Sequence, residues 1–351
     1  MLAPVAHILP LTTIRRERLL PVPGRVVVRM DQKVSPVDVI AETNLGQDHV
    51  LVDVSGTLGI ASDTAQKLIR VKAGDRVAAG QVLAQTSGMI PHVVRAPQMG
   101  RVILVGGGRI LMELNEGSYE LHAGMPGTVT QVIQDRGAEI TTYGALVQGV
   151  WGNGRVDVGL MLSLISAPDE VLAPGRIDVS MRGSVVLGGI LQDATILQTA
   201  AELPLRGLIL GSMSHNLIPV ALQMKYPILV IDGFGHRPMN SAAFKLLSTS
   251  VKREVTLNTE GFNRFTGTRP EVIVPLPISQ EPPAPREMEI FAVGQQVCLR
   301  RAPHLGEVGS ITSLPDELVV FPSGLRAPAA DVKLESGEEI TVPLANLEVF
   351  G

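Results

Sequence analysis

The chain has 351 residues, 45% of them hydrophobic and 18% charged, with a formal net charge of −4. That length calls for two or three domains, and the apolar content is that of a folded protein rather than a disordered one. The slight acidity excludes bulk attraction to nucleic acid or an anionic membrane, and aromatics at 3% exclude a base-stacking platform. The single cysteine, Cys298, excludes an internal disulfide and a thiolate cluster for a metal, so neither a metal nor a cofactor is expected. Met1 to Leu20 is apolar first and then basic at Arg15, Arg16 and Arg18, the reverse of a secretory leader. No run reaches the length of a membrane span, so a cytoplasmic protein without a membrane partner is expected.

In chain order, the first half reads as strands separated by glycine corners. Gly24 to Met30 and Val50 to Val54 are strand-like, and Arg70 to Ala84 carries corners at Gly74-Asp75 and Gly80-Gln81. Val94 to Val105 follows, with Ala96-Pro97 and Gly100 ahead of a strand. Gly106-Gly107-Gly108-Arg109 lacks the Lys-Ser/Thr and helix of a phosphate loop, and reads as a hairpin. Met125 to Ile133 echoes the strand after a corner, and Gly137 to Gly149 echoes the Arg70 to Ala84 phrase with altered spacing. Trp151-Gly152-Asn153-Gly154 reads as an Asn-Gly hairpin turn. Trp151 at its edge is a candidate partner anchor or a lid packed on the barrel.

From Pro174 the period changes. Apolar runs at Ser184 to Gly189, Gly207 to Ser212 and Pro227 to Gly233 alternate with helical spacings at Asp193 to Leu203, Asn216 to Met224 and Asn240 to Thr249. Val255 to Asn258 and Glu271 to Pro275 complete an α/β layer with mostly parallel strands. Ligands of such a layer sit at the carboxyl ends of its strands. There the loops 211–216 and 232–238 bring Ser212, Ser214, His215, Asp232, His236 and Arg237 together beside helix starts, a candidate anion or ligand site. An enzyme would use a serine as nucleophile, a histidine as base and Arg237 as anion clamp. Gly211 to His215 is not the Gly-x-Ser-x-Gly elbow, and Gly233-Phe234-Gly235 lacks the third glycine of a dinucleotide fingerprint, so no catalytic residue is assigned. Caps and turns account for the same residues. Arg264, between Phe262 and Phe265, is a candidate partner contact.

Residues 276–286 are rich in proline and are expected to form an extended spacer that lets the last segment sit apart. That segment, 287–351, alternates at Val297/Leu299, Val308, Ile311 and Ile340/Val342, the period of strands. It holds ten acidic residues against four basic ones, so only a local patch of Arg300, Arg301 and Arg326 would attract phosphate.

Two resemblances add to this reading. The Arg70 to Ala84 phrase, with the Ala-Pro and Gly phrase after it, resembles the hammerhead pair of biotinyl and lipoyl domains and other barrel-sandwich hybrids. Residues 293–312, with Gly309 at the motif's central glycine, resemble the KOW module of ribosomal proteins and transcription elongation factors, an SH3-like barrel. They imply a barrel-sandwich composite over 19–164 and a KOW-like small β-barrel over 287–351, which with the α/β layer over 174–275 and the linker 276–286 make a multidomain α/β and all-β chain. The region has no Met-Lys tip, so covalent lipoyl or biotin is not expected. Two modules of kinds that hold partners, around a layer without a complete catalytic motif, favour a non-catalytic scaffold or adaptor that binds a protein or itself. A nucleic-acid-binding factor of transcription or translation, and an enzyme or nucleotide-binding protein using the two loops, are the rivals.

Overall fold

The computed structural model describes residues 2–350 apart from 45–47, 88–90, 115–117, 264–266 and 287–288. It is built mostly of β-strands, in several sheets of which the largest is mixed. The first strands knit the two ends of the chain together. Leu2–Ala3 pairs with Glu289–Ile290, and Val5–Ala6 lies parallel to Leu347–Phe350. Ile8–Leu19 then runs antiparallel along Gly137–Gln148. Among the described residues no helix is long and apolar enough to cross a membrane.

Twelve strands form the large sheet. At one end Val156–Ser163, Ser184–Leu187, Gly207–Met213 and Ile228–Phe234 are parallel, and the last three are the apolar runs expected of strands covered on both faces. Helices Ala194–Glu202 and Ile218–Gln223 cover one face through Ile196, Leu197, Ala200 and Ala221, which pack on Val186, Leu208, Leu210 and Val230. Helix Ser241–Thr249 covers the other through Ala243 and Leu247, against Val185, Leu187, Ile209 and Ile231. The sheet continues antiparallel through Glu254–Asn258 and Glu271–Pro275 to Gly137–Gln148. Its hydrogen bonding therefore passes without a break across residues 164–174, where the composition changes.

The first half contains one arrangement twice, the second copy inserted into the first. In the outer copy the strand order is Ile8–Leu19, Gly137–Gln148, Gly127–Ile133, Lys33–Val34. In the inserted copy it is Asp48–Asp53, Arg109–Leu114, Gly100–Gly106, Arg76–Val77. The same bulge interrupts both, at Val129/Gln131 and at Val102/Leu104. The corners match as well. Gln32 accepts from Arg29 N and Asp38 from Ser35 N, as Asp75 accepts from Lys72 N and Gln81 from Ala78 N. Core residues correspond: Val34, Ile40, Ala41, Ala123 and Val129 in one, Val77, Leu83, Ala84, Ala96 and Val102 in the other. The partner of the Arg70 to Ala84 phrase is thus Val28 to Ile40. Gly137–Gln148, expected to echo it, is a long central strand. It is buried along nearly all of its twelve residues and has strands on both sides, Ile8–Leu19 on one and Gly127–Ile133 then Glu271–Pro275 on the other. Gly107-Gly108 makes the two-residue hairpin turn with φ +57° and +71°, as the glycine run predicts.

The C-terminal segment forms a sheet in the order Val5–Ala6, Leu347–Phe350, Gln296–Leu299, Val308–Ser313, Ala329–Leu334, Glu339–Pro343, an open path whose first strand comes from the other end of the chain. Gly309 sits where a Cβ would lie 2.6 Å from Val332 Cγ1. The proline-rich stretch is not a free spacer. Thr12 Oγ1 donates to Pro283 O at 2.8 Å, Thr13 Oγ1 donates to Pro282 O at 2.5 Å, and Arg15 pairs with Glu281 at 3.1 Å. Thr13 N also donates to Pro283 O at 3.3 Å, so backbone and side chains of the neighbouring strand both hold the stretch.

Two outcomes are expected. Gly100 and Gly127 occupy equivalent places, where a Cβ would lie 2.3 Å from Glu113 O and 2.5 Å from Thr141 O. Replacing either with Ala should cost about 1–3 kcal/mol in urea unfolding. Gly106→Ala, with no atom within 4 Å of the added carbon, should change stability by less than about 0.5 kcal/mol. Limited proteolysis that nicks 276–286 should leave both fragments in one gel-filtration peak, since Val5–Ala6 stays paired with Leu347–Phe350. Separate peaks would refute that docking.

Candidate functional site

The parallel strands end where the sequence places its candidate loops, and the side chains there divide into framework and surface. Ser212 is fully buried. Its hydroxyl donates to Arg237 O at 2.7 Å and accepts from Arg237 N at 3.1 Å, fastening the loop 232–238 to the neighbouring strand. Asp232 is buried at the end of its own strand. Its carboxylate accepts from Asn240 N at 2.8 Å and from Asn240 Nδ2 at 3.0 Å. Asn240 Oδ1 in turn accepts from Ala243 N, so it caps helix Ser241–Thr249. Asp232 therefore orients a cap, which orients a helix.

The remaining loop residues face outward. Ser214 holds the cap position of the short turn His215–Leu217 without a side-chain cap bond. His215 is exposed on that turn, and His236 is exposed with Nδ1 2.8 Å from Gln192 Nε2. No serine–histidine hydrogen bond appears among the described residues, and no group of three or more His, Cys, Asp or Glu there could hold a metal ion. The loops thus bring Ser212 to the Arg237 backbone and Asp232 within the field of Arg237. They leave both histidines apart from the serines.

Arg300, already a candidate from the sequence, completes the electrostatics together with Glu348 and Arg269, which the sequence does not single out as site residues. Arg300 of the C-terminal sheet ion-pairs with Glu348 and stands 4.0 Å from Asp232. Glu348 also pairs with Arg269 at 3.1 Å, and Arg269 lies over the Phe262 ring at 5.4 Å. A chain of alternating charges, Asp232, Arg300, Glu348 and Arg269, thereby joins the large sheet to the C-terminal one. Cys298 lies buried beside it, and burial pushes its thiol up to about 11, so it is no nucleophile at neutral pH. Burial is also the leading influence on Asp232 and pushes its carboxyl above the usual range, although Asn240, Arg300 and Arg237 pull the other way. The separation of these residues in sequence hid the chain of charges. Only the excess of Glu and Arg around 260–271 and 300 hinted at it.

The candidate partner residues are dispersed. Trp151 packs edge-on against Phe234, with ring centroids 6.0 Å apart, at the margin of the large sheet. Its expected Asn-Gly hairpin is absent: Asn153 is buried and donates to Ala221 O and Tyr226 O while accepting from Ile228 N. The side chain has been recruited to satisfy backbone groups that the sheet leaves open. Arg300 is turned inward to Glu348. Arg301 borders an open cleft of about 360 Å³ with Leu299, Pro303, His304, Ile340 and Val342. Arg326 lies opposite Val320 in a separate hairpin. Arg264 lies outside the described residues.

The chain matches no protein-family model and no curated protein.

The raised Asp232 carboxyl fixes a sign. A carboxyl titrating higher in the folded protein contributes full stability below its unfolded value, about 3.9, and loses it as pH rises through the folded value. The stability of the natural protein relative to Asp232→Asn should therefore fall as pH rises from about 4 upward, read by urea unfolding at successive pH values. A difference independent of pH would mean that Asp232 is not desolvated.

Proposed function

We propose that this is a non-catalytic binding protein that holds a macromolecular partner through its β modules. In this reading 19–164 is a barrel-sandwich hybrid without covalent cofactor, 287–351 is a KOW-like module, and 174–275 is the α/β layer that joins them. The observation that carries it is the division of labour in the loops. Ser212 and Asp232, the groups a reaction would need, spend their hydrogen bonds on Arg237 and Asn240. Exposed apolar side chains gather elsewhere, at Leu51, Met99 and Leu104 in the first half and at Leu318, Val320 and Leu325 in the C-terminal segment. Contiguous apolar exposure of that kind marks contact surfaces in soluble chains.

The nucleic-acid alternative has less support. Arg15, Arg16 and Arg18 pair with Glu281, Glu271 and Glu260, and Arg269 and Arg300 share Glu348, so most of this positive charge is already paired within the chain.

A photo-reactive amino acid placed in the full chain separates the readings. Cross-links to another protein chain are expected from position 104 or 318 and not from 215 or 236. Adducts confined to 215 and 236, or none from any position, would overturn the binding assignment.

A further inference from the structure

The two copies of the repeated arrangement differ on their outer faces, and that difference identifies a contact surface. In the inserted copy Leu104, Leu111 and Leu51 stand in register across Gly100–Gly106, Arg109–Leu114 and Asp48–Asp53. Leu104 is 60% exposed and Leu51 56%. The bulge at Val102/Leu104 adds Ile103 to the exposed side. The same three places in the outer copy are Gln131, Glu139 and Glu17, again in register. Both copies bury their opposite faces in closely similar cores. The backbone arrangement therefore tolerates polar residues at this row. An aliphatic row facing water carries a solvation cost that only its cover would remove.

The flanking rows indicate what the cover is. On one side of the leucines stand Arg101, Glu113 and His49, and on the other Gly106, Arg109 and Asp53. Sheets that pack face to face keep their strands nearly aligned. Place a two-fold axis along the leucine row, midway between two such faces. Each flanking row then lies over the opposite flanking row of the second copy. Glu113 meets Arg109, His49 meets Asp53, and Arg101 meets only Gly106. Each pair occurs twice by symmetry, and no like charges oppose. An axis along the strands would instead set Glu113 on Glu113 and Arg109 on Arg109. Asp53 is suited to its part, because Gly56 N and the Ser55 hydroxyl bind its carboxylate and hold its titration low.

We infer that the Leu51–Leu111–Leu104 face of the inserted copy is a self-complementary surface on which a second copy of this chain docks. The inference rests on the binding function proposed above and names the partner. Four short strands offer less area than the roughly 800 Å² per partner of a standard interface, which places the contact among weak, transient associations. An isologous contact of this kind closes on itself and stops at two.

Sedimentation equilibrium of the full chain over a wide concentration range tests it. A monomer–dimer equilibrium is expected. Leu104→Glu, and independently Leu51→Gln, should weaken it at least about tenfold while circular dichroism stays unchanged, since both side chains face solvent. Glu113→Lys alone and Arg109→Glu alone should each weaken it. The double variant should recover most of the affinity, because Lys at 113 again meets an acid at 109 of the second copy. Gln131→Glu on the outer copy should have no effect. A chain that stays monomeric throughout, or a dimer indifferent to Leu104→Glu, overturns the inference. If the chain is monomeric yet position 104 cross-links a different protein, self-association falls and the binding function stands. If it is monomeric and no position cross-links, both fall.

Discussion

Strand pairing by the first nineteen residues is the constraint on which the rest of the molecule depends. A sheet edge exposes backbone donors and acceptors that must find partners, and this segment supplies them to two sheets in succession. Val5–Ala6 completes the C-terminal sheet, and Ile8–Leu19 lies along Gly137–Gln148 of the large one. Its arginines would be costly so close to buried surface without partners. Glu271, nearly fully buried, takes Arg16 at 2.6 Å, and Glu260 takes Arg18 at 2.5 Å. The acids come from the far half of the chain, so the two ends hold each other in place.

A second constraint follows from the duplication. Each copy buries one face of its short strands and turns its corners with side chains that bind their own backbone, at Asp38 and Gln32 in one and Asp75 and Gln81 in the other. Because the corner chemistry is local, one copy can be inserted in the other without loss of either core. The outer copy is fused to the large sheet through Gly137–Gln148. The inserted copy is not part of that sheet, and its outer face is free to take other work.

The candidate loops illustrate how one set of residue types serves opposite purposes. Serine, aspartate, histidine and arginine at strand ends beside helix starts compose a reactive site or a set of fasteners, depending on where their hydrogen bonds go. Here Ser212 and Asp232 are directed at backbone and cap. The charges around Asp232 run on through Arg300 and Glu348 into the C-terminal sheet. The desolvation of a buried ion chain offsets much of the attraction within it, so the chain is not by itself a source of stability.

Local chemistry made part of this legible. The α/β alternation from Ser184 to Pro275 announces itself because strands buried on both faces must be apolar throughout and helices must show their own period. The corners at Gly74-Asp75 and Gly80-Gln81 and the Gly107-Gly108 turn follow from backbone preference alone. What pairs with what was decided only in three dimensions. Ile8–Leu19 is in sequence only an apolar stretch that ends in arginines, and its acids arrive from more than two hundred residues away. Asn153 reads as a turn residue until the backbone groups of Ala221, Tyr226 and Ile228 surround it. Val28 to Ile40 conceals its kinship with Val71 to Leu83, since Asp31, rather than glycine, adopts the positive φ that Gly74 has in the other copy. Sequence determines conformation where the deciding forces act between neighbours. Tertiary structure decides where a charge or a strand edge must be satisfied by a distant partner.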